Sequence, residues 1–398
     1  MIPKHTSCVP ILLFIIWGFG SCRQPTSDLD STAYKVKIDT NSYVLQLDHS
    51  TSNYEPASQY LPDWKGKESF AFLNRKANEI KIYTMASGQV ANSIKFAYDG
   101  PNGVGRIYDF FIHNEDSIFL HARYAYRLSL VDRNADLVKN YRLVPENTEL
   151  GPGGIPKDAR TALGRMTIAH PPVLIDQHLF IHSSPDRNPT KAEYYDSEEL
   201  IIKLDLLTGN HHYLTGFPDS HKGKAWGVGF NDYFWSYNPS EQSFVLSFPI
   251  DEKIYKTTDF ERFETYPLSS QQISQVAPLS DSNMNPDVYF KRYKTNSSYG
   301  KILFDSNKRY YYRLANLKIE EESYEEHTNA LTNPQDIIII FSNELFQVIH
   351  EHRIGQPENG QFVPTFSFVN DRGLNIGFID YSDEDQLKFA HIDLIPAR

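Results

Sequence analysis

The chain has 398 residues, a net charge of -11 and two cysteines, with 25 Tyr, 25 Phe, 4 Trp and 4 Met. Such a content of aromatics excludes a disordered chain, because disordered chains are poor in aromatic and β-branched residues. The acidic balance excludes a nucleic-acid binder, which needs a basic face to displace counterions from phosphate.

The N-terminus reads as an export signal. Lys4 and His5 precede an apolar stretch over 9–17, then the small residues Gly18, Gly20 and Ser21. That stretch is far below the ~20 residues a membrane-spanning helix needs, so residues 1–21 are expected to be a signal peptide. Phe19-Gly20-Ser21-Cys22 resembles a bacterial lipobox, with Phe19 where leucine is usual. The resemblance implies acylation of Cys22, cleavage before it, and a lipid-anchored protein of the cell envelope, at the outer membrane. Lipid chains hold by about 0.8 kcal/mol per buried methylene. Cys8 leaves with the signal, so no thiol remains for a disulfide or a metal. Residues 22–33 are polar and aperiodic and are expected to form a flexible tether. Residues 34–398 are expected to form one domain.

From residue 34 onward, short alternating segments are separated by turn residues, the pattern of half-buried strands. Strands are expected at 68–73, 79–85 and 89–96, a three-strand meander closed by Asp99-Gly100-Pro101. Four more follow at 107–113, 117–122, 127–132 and 137–143, about the size of one propeller blade. Similar units fall at 173–214, 228–266, 301–354 and 366–394. The fold class is therefore all-β, a six-bladed β-propeller in which the spare strand at 34–38 closes the last blade. Seven blades are the alternative if 43–47 begins another unit. The only helical pattern is at 319–327. The gaps 145–167, 184–198 and 269–298 are expected to be loops leaving one face.

Several segments together carry a family resemblance. They are Asp99-Gly100-Pro101-Asn102-Gly103-Val104-Gly105, His170-Pro171-Pro172-Val173, and Tyr299-Gly300-Lys301-Ile302-Leu303-Phe304-Asp305 with Tyr310-Tyr311-Tyr312-Arg313 after it. With the lipobox, these resemble an uncharacterised Bacteroidota family of lipoproteins that look like six-bladed, NHL-like propellers. The resemblance implies a fold and a location. It implies no activity.

Chemical motifs are sparse. Gly100, Gly103 and Gly105 link two β units, whereas a phosphate cradle needs a strand, a loop and a helix. His350 and His352 alternate on one strand, but a third ligand would have to come from another blade, and none is legible. His170, His178 and His182 flank one blade start and read as structural, and His211 and His212 sit in a turn. Asp383, Glu384 and Asp385 read as a solvated hairpin tip. No metal and no cofactor are expected. There is no Gly-x-Ser-x-Gly elbow and no sialidase-type Asp-box, so an enzyme is the weaker reading.

Aromatic residues offer the best ligand argument, since exposed rings stack on sugars or peptide side chains. Arg106, Arg165, His170, Trp226 and Tyr299 lie at predicted blade starts and form the candidate binding surface. The leading expectation is a membrane-anchored propeller that binds a glycan, peptide or partner protein at one face. The alternative is a carbohydrate-active or lyase-type enzyme, which carboxylates or histidines converging in the central funnel would favour. A purely structural envelope component would lack a concave polar site.

Overall fold

The computed structural model describes residues 33–144, 163–280, 285–321 and 335–397, together with 148, 149, 151 and 324. The expected signal peptide and Cys22 lie outside the described residues, as do most of 145–162, all of 281–284 and most of 322–334.

Six antiparallel sheets make up the described chain. The first strand, β1 (Tyr34–Gln46), belongs to the last sheet. Blade one is β2 (Ser58–Trp64), β3 (Lys67–Asn74), β4 (Glu79–Thr84) and β5 (Val90–Lys95). Blade two is β6 (Asp109–Asn114), β7 (Ser117–Ala122), β8 (Arg127–Val131) and β9 (Leu137–Arg142). Blade three holds β10 (Leu163–Arg165), β11 (Val173–Ile175), β12 (His178–Ser184), β13 (Ile201–Asp205) and β14 (His211–Leu214). Blade four is β15 (Phe234–Asn238), β16 (Ser243–Ser247), β17 (Lys253–Thr257) and β18 (Glu264–Pro267). Blade five is β19 (Ser298–Asp305), β20 (Tyr310–Asn316), β21 (Ile337–Asn343) and β22 (Val348–Ile354). Blade six is β23 (Gly360–Asn370), β24 (Gly373–Asp380) and β25 (Gln386–Pro396), completed by β1. The fold is a six-bladed β-propeller.

Burial explains the ring. Middle strands are covered on both sides by neighbouring blades, so they read as continuous apolar runs. Ile337, Ile338, Ile339 and Ile340 are all fully buried. Ile338 and Ile340 pack with Val245 and Ile254 of blade four, while Ile337 and Ile339 pack with Leu374 and Ile376 of blade six. The core consists of such clusters, one at each of the six blade interfaces. Most of the aromatic excess is spent there: Phe70 and Phe72 of blade one pack with Phe368 and Phe389 of blade six.

β1 pairs with β25 from Tyr34↔Pro396 to Gln46↔Gln386, with a bulge between Asp39 and Tyr43. Residues 43–46 therefore continue the closing strand, and the seven-blade alternative is excluded. The Ser87-Gly88 turn of blade one seals the joint. Gln46 N donates to Gly88 O, and a Cβ on Gly88 would lie 2.0 Å from Val44 O.

Three local expectations are corrected. Blade one has four strands rather than three, because β2 carries Pro62 and absorbs it in a bulge between Leu61 and Trp64. The inner strand of blade three is split, with β10 and β11 both pairing β12 and residues 166–172 arching between them. The segment 269–298 contains a nine-residue helix, α2 (Pro286–Lys294) after the short α1 (Ala192–Tyr195). Asn285 caps α2 by accepting from Val288 N, and Pro286 sits in its first turn.

Inner strands begin at one end of the ring, called the upper face here. In an up-and-down blade, the connection into the inner strand and the connection between the second and third strands both lie at that end. The long connections after β12 and β18 lie there, and those after β9 and β20 open there. That agrees with loops leaving one face.

Candidate ligand-binding funnel

The ring axis holds two cavities that share Lys301. The lower one, about 340 Å³, is bounded by inner-strand residues of all six blades, including Tyr60, Phe111, Tyr237 and Phe368. The upper one, about 350 Å³, is lined by Arg165, Asp232, Phe290, Tyr293 and Tyr299 among others. Lys301 lies where β19 bulges, and its Nζ donates across the axis to Ile168 O (2.5 Å) and Ser367 O (2.6 Å). Burial pushes this amine down to about 7. A larger cavity of about 640 Å³ lies off the axis, between blades three and four, with Phe217, Asp251 and Tyr255 in its wall.

The upper funnel is the chemically richer of the axial pair. On one side, the blade-three arch brings His170 beside Asp232, which stands two residues before β15. His170 Nε2 lies 3.0 Å from Asp232 Oδ1, and its Nδ1 lies 3.1 Å from Thr167 Oγ1. Trp235 Nε1 donates to Pro171 O (2.8 Å) and ties the arch to β15. His182 lies opposite Arg165 in the β10–β12 pairing, with Nε2 3.3 Å from the same Oδ1. Arg165 Nη1 approaches the other carboxylate oxygen at 3.7 Å. Burial would raise the Asp232 carboxyl, but His170, His182 and Arg165 outweigh it and hold the group well below the carboxylate range. Burial, with His170 alongside, pushes His182 down to about 3.

On the other side stands α2. Arg292 Nη1 donates to Trp226 O (3.0 Å) and its guanidinium lies 5.0 Å from the Phe230 ring, which docks the helix. Gly229 allows the close approach: a Cβ there would sit 2.4 Å from the Tyr293 ring, and its φ is +89°. Phe290 is left 55% exposed on the funnel wall.

A match over residues 31–353 to the model of a domain of unknown function, DUF4221, decides the family. The chain belongs to the DUF4221 family. A crystal structure of a DUF4221 member from Bacteroides vulgatus is similar, with a TM-score of 0.76 at 20% identity, over 92% of this chain and 100% of that one. A Bacteroides fragilis protein named for its inferred export is also similar, with a TM-score of 0.51 at 11% identity, over 92% and 98% of the two chains. At these identities the likeness shows the fold alone. No curated protein matches the chain. The resemblance read from the motifs is thus correct as to family and as to six blades.

Within this DUF4221 propeller, the five residues singled out from sequence have different fates. Arg165 and Tyr299 line the upper funnel, and His170 backs its wall through Asp232. Tyr299 is nearly enclosed, with its hydroxyl accepting from Ser270 N and Arg313 stacked on its ring. Arg106 is exposed, 5.4 Å from the Tyr108 ring, and lines none of these three cavities. Trp226 is corrected: it is 4% exposed in the core between blades three and four, with Nε1 donating to His221 O (3.1 Å), so its ring has no free face.

For His350 and His352 no third ligand is legible in the sequence, and His170 and His182 read there as structural. His350 and His352 do stack, 6.3 Å apart. The group whose ligand-type atoms converge is His170, His182 and Asp232, all within 4.8 Å of one another. Sequence reasoning missed Asp232, Lys301, Tyr293 and Phe290. For Phe290 a signal existed, since Asn-Pro-Asp before a basic-ended segment is a helix start.

Proposed function

We propose that this DUF4221 propeller is a lipid-anchored binding protein of the cell envelope that takes a glycan or peptide in its upper funnel. The observation that carries the reading is the exposed Phe290 ring facing a wall that holds the Arg165–Asp232 pair. An aromatic face stacks on a sugar ring or an apolar side chain, while a fixed ion pair orients hydroxyls or amides. The export signal and Cys22 support the location, as does the fold shared with the Bacteroides fragilis protein. Among the described residues no helix is long and apolar enough to cross a membrane.

The catalytic alternative draws on the convergence of His170, His182 and Asp232. Their geometry weighs against acid–base work. Both imidazoles turn Nε2 onto the carboxylate, so the cavity is offered a carboxylate and a guanidinium rather than a proton donor and acceptor.

The test is a glycan and peptide array probed with residues 24–398, followed by titration of any hit against Phe290→Ala. A tenfold or greater loss of affinity with an unchanged melting temperature is expected. Equal affinity would remove the funnel from the reading. Cys22→Ala is expected to shift the protein from the membrane to the soluble fraction.

A further inference from the structure

Two imidazoles aimed at one carboxylate oxygen make an unusual buried arrangement. His182 is 1% exposed; its Nδ1 has no hydrogen-bond partner, and its Nε2 has only Asp232 Oδ1 at 3.3 Å, without well-formed hydrogen-bond geometry. A buried donor and acceptor left unmade cost about 1–3 kcal/mol each. The histidine nevertheless packs tightly, stacked 4.0 Å from the Tyr233 ring. The arrangement makes sense if the lone pairs of His170 Nε2 and His182 Nε2 and the charge of Asp232 Oδ1 converge on a cation.

Distances agree with that. Four donors at zinc bond lengths of about 2.0–2.1 Å in a tetrahedron stand about 3.3 Å from one another. The two imidazole nitrogens lie 3.0 Å and 3.3 Å from Asp232 Oδ1, and all three atoms fall within 4.8 Å. A metal-binding histidine normally engages its second nitrogen with an outer partner, and His170 Nδ1 has Thr167 Oγ1 at 3.1 Å. Asp232 lines the upper funnel, so the fourth position faces the cavity. Arg165, 3.7 Å from Oδ2, leaves Oδ1 as the single carboxylate donor and opposes the cation electrostatically.

We infer that His170, His182 and Asp232 form a binding site for one divalent cation of the imidazole-preferring class, zinc above all, open to the upper funnel. Two imidazoles and one carboxylate suit zinc, cobalt, nickel or iron, whereas calcium and magnesium prefer all-oxygen sites. The site does not depend on which organic ligand the funnel takes.

The experiment is calorimetric titration of Zn²⁺ into the chelator-treated full-length protein at pH 7, paralleled by Co²⁺ absorption spectroscopy. One equivalent with a micromolar or tighter Kd is expected, weakened at least tenfold by His182→Ala and by Asp232→Asn and unchanged by His350→Ala. Arg165→Gln is expected to tighten it. The absence of saturable one-site binding, or an unaltered Kd in His182→Ala, would overturn the inference. So would loss of the site in His350→Ala. Should His182→Ala not fold, the Co²⁺ spectrum of the unaltered protein decides: intense four-coordinate bands support the site, and a weak, aqua-like spectrum refutes it.

Discussion

Arg313 lays its guanidinium 3.8 Å from the centre of the Tyr299 ring, fully buried, and among the described residues no carboxylate pairs with it. Backbone carbonyls take the place of a counterion. Nη1 donates to Leu268 O (2.6 Å) and Glu252 O (3.1 Å), Nη2 to Asp251 O (2.7 Å), and Nε to Ser247 Oγ (3.0 Å). One blade-five side chain thus gathers the corner of blade four and fixes the funnel's Tyr299.

Arg313→Met leaves those acceptors buried and unpaired. Each unmade bond costs about 1–3 kcal/mol, so a loss of at least about 3 kcal/mol is expected in urea unfolding. A loss below about 1 kcal/mol would show that the carbonyls find other donors.

Lys301 makes stability depend on pH in the alkaline range. Its ordinary value of 10.5 falls to about 7 in the fold. Between those values the unfolded chain keeps the proton and the folded chain does not, so stability rises with pH. The unfolding free energy of the parent relative to Lys301→Met is expected to climb by a few kcal/mol from pH 7 to pH 10. A flat difference would mean that the carbonyl bonds hold the ammonium charged.

His221 acts on the acid side. It is fully buried between blades three and four, and burial pushes it from 6.5 down to about 4. Its contribution is complete above pH 6.5 and is lost as pH falls toward 4, because only the unfolded chain takes up the proton. Chemical denaturation of the parent and of His221→Phe at pH 7 and pH 4.5 checks this. The parent is expected to lose about 2–3 kcal/mol more than the variant over that interval.

Trp226→Ala is expected to cost about 3–5 kcal/mol through the cavity it opens beside His221 and Phe230. Trp226→Phe is expected to recover most of that loss. Thermal melts of the two variants distinguish this structural role from one in ligand contact, which would leave the melting temperature alone.

The blade count, the closing strand and the face that carries the long loops were legible because strand alternation and turn chemistry are local. The Asp205–Gly209 turn shows this: Asp205 Oδ1 accepts from Leu207 N and Thr208 N, and Gly209 takes a φ of +83°. What could not be read was which buried face each aromatic or histidine meets. Trp226 and Phe290 both lie near the start of a blade in sequence, yet one is enclosed and the other open, because α2 docks on the Trp226 backbone through Arg292 and itself carries Phe290 outward into the funnel. His182 and Asp232 are fifty residues apart (232 − 182 = 50) and meet because blade three packs on blade four.

Closing the ring through β1 sets a timetable for folding. Tyr34 pairs with Pro396, so the first-made strand of the domain waits for the last-made one. Blades one to five pair within themselves as the chain lengthens, while β1 remains an unclaimed edge throughout. Its outward Lys35 and Lys37 keep that edge charged and discourage pairing with other chains. A chain ending before residue 386 would therefore be a nearly complete molecule whose two ends have yet to meet.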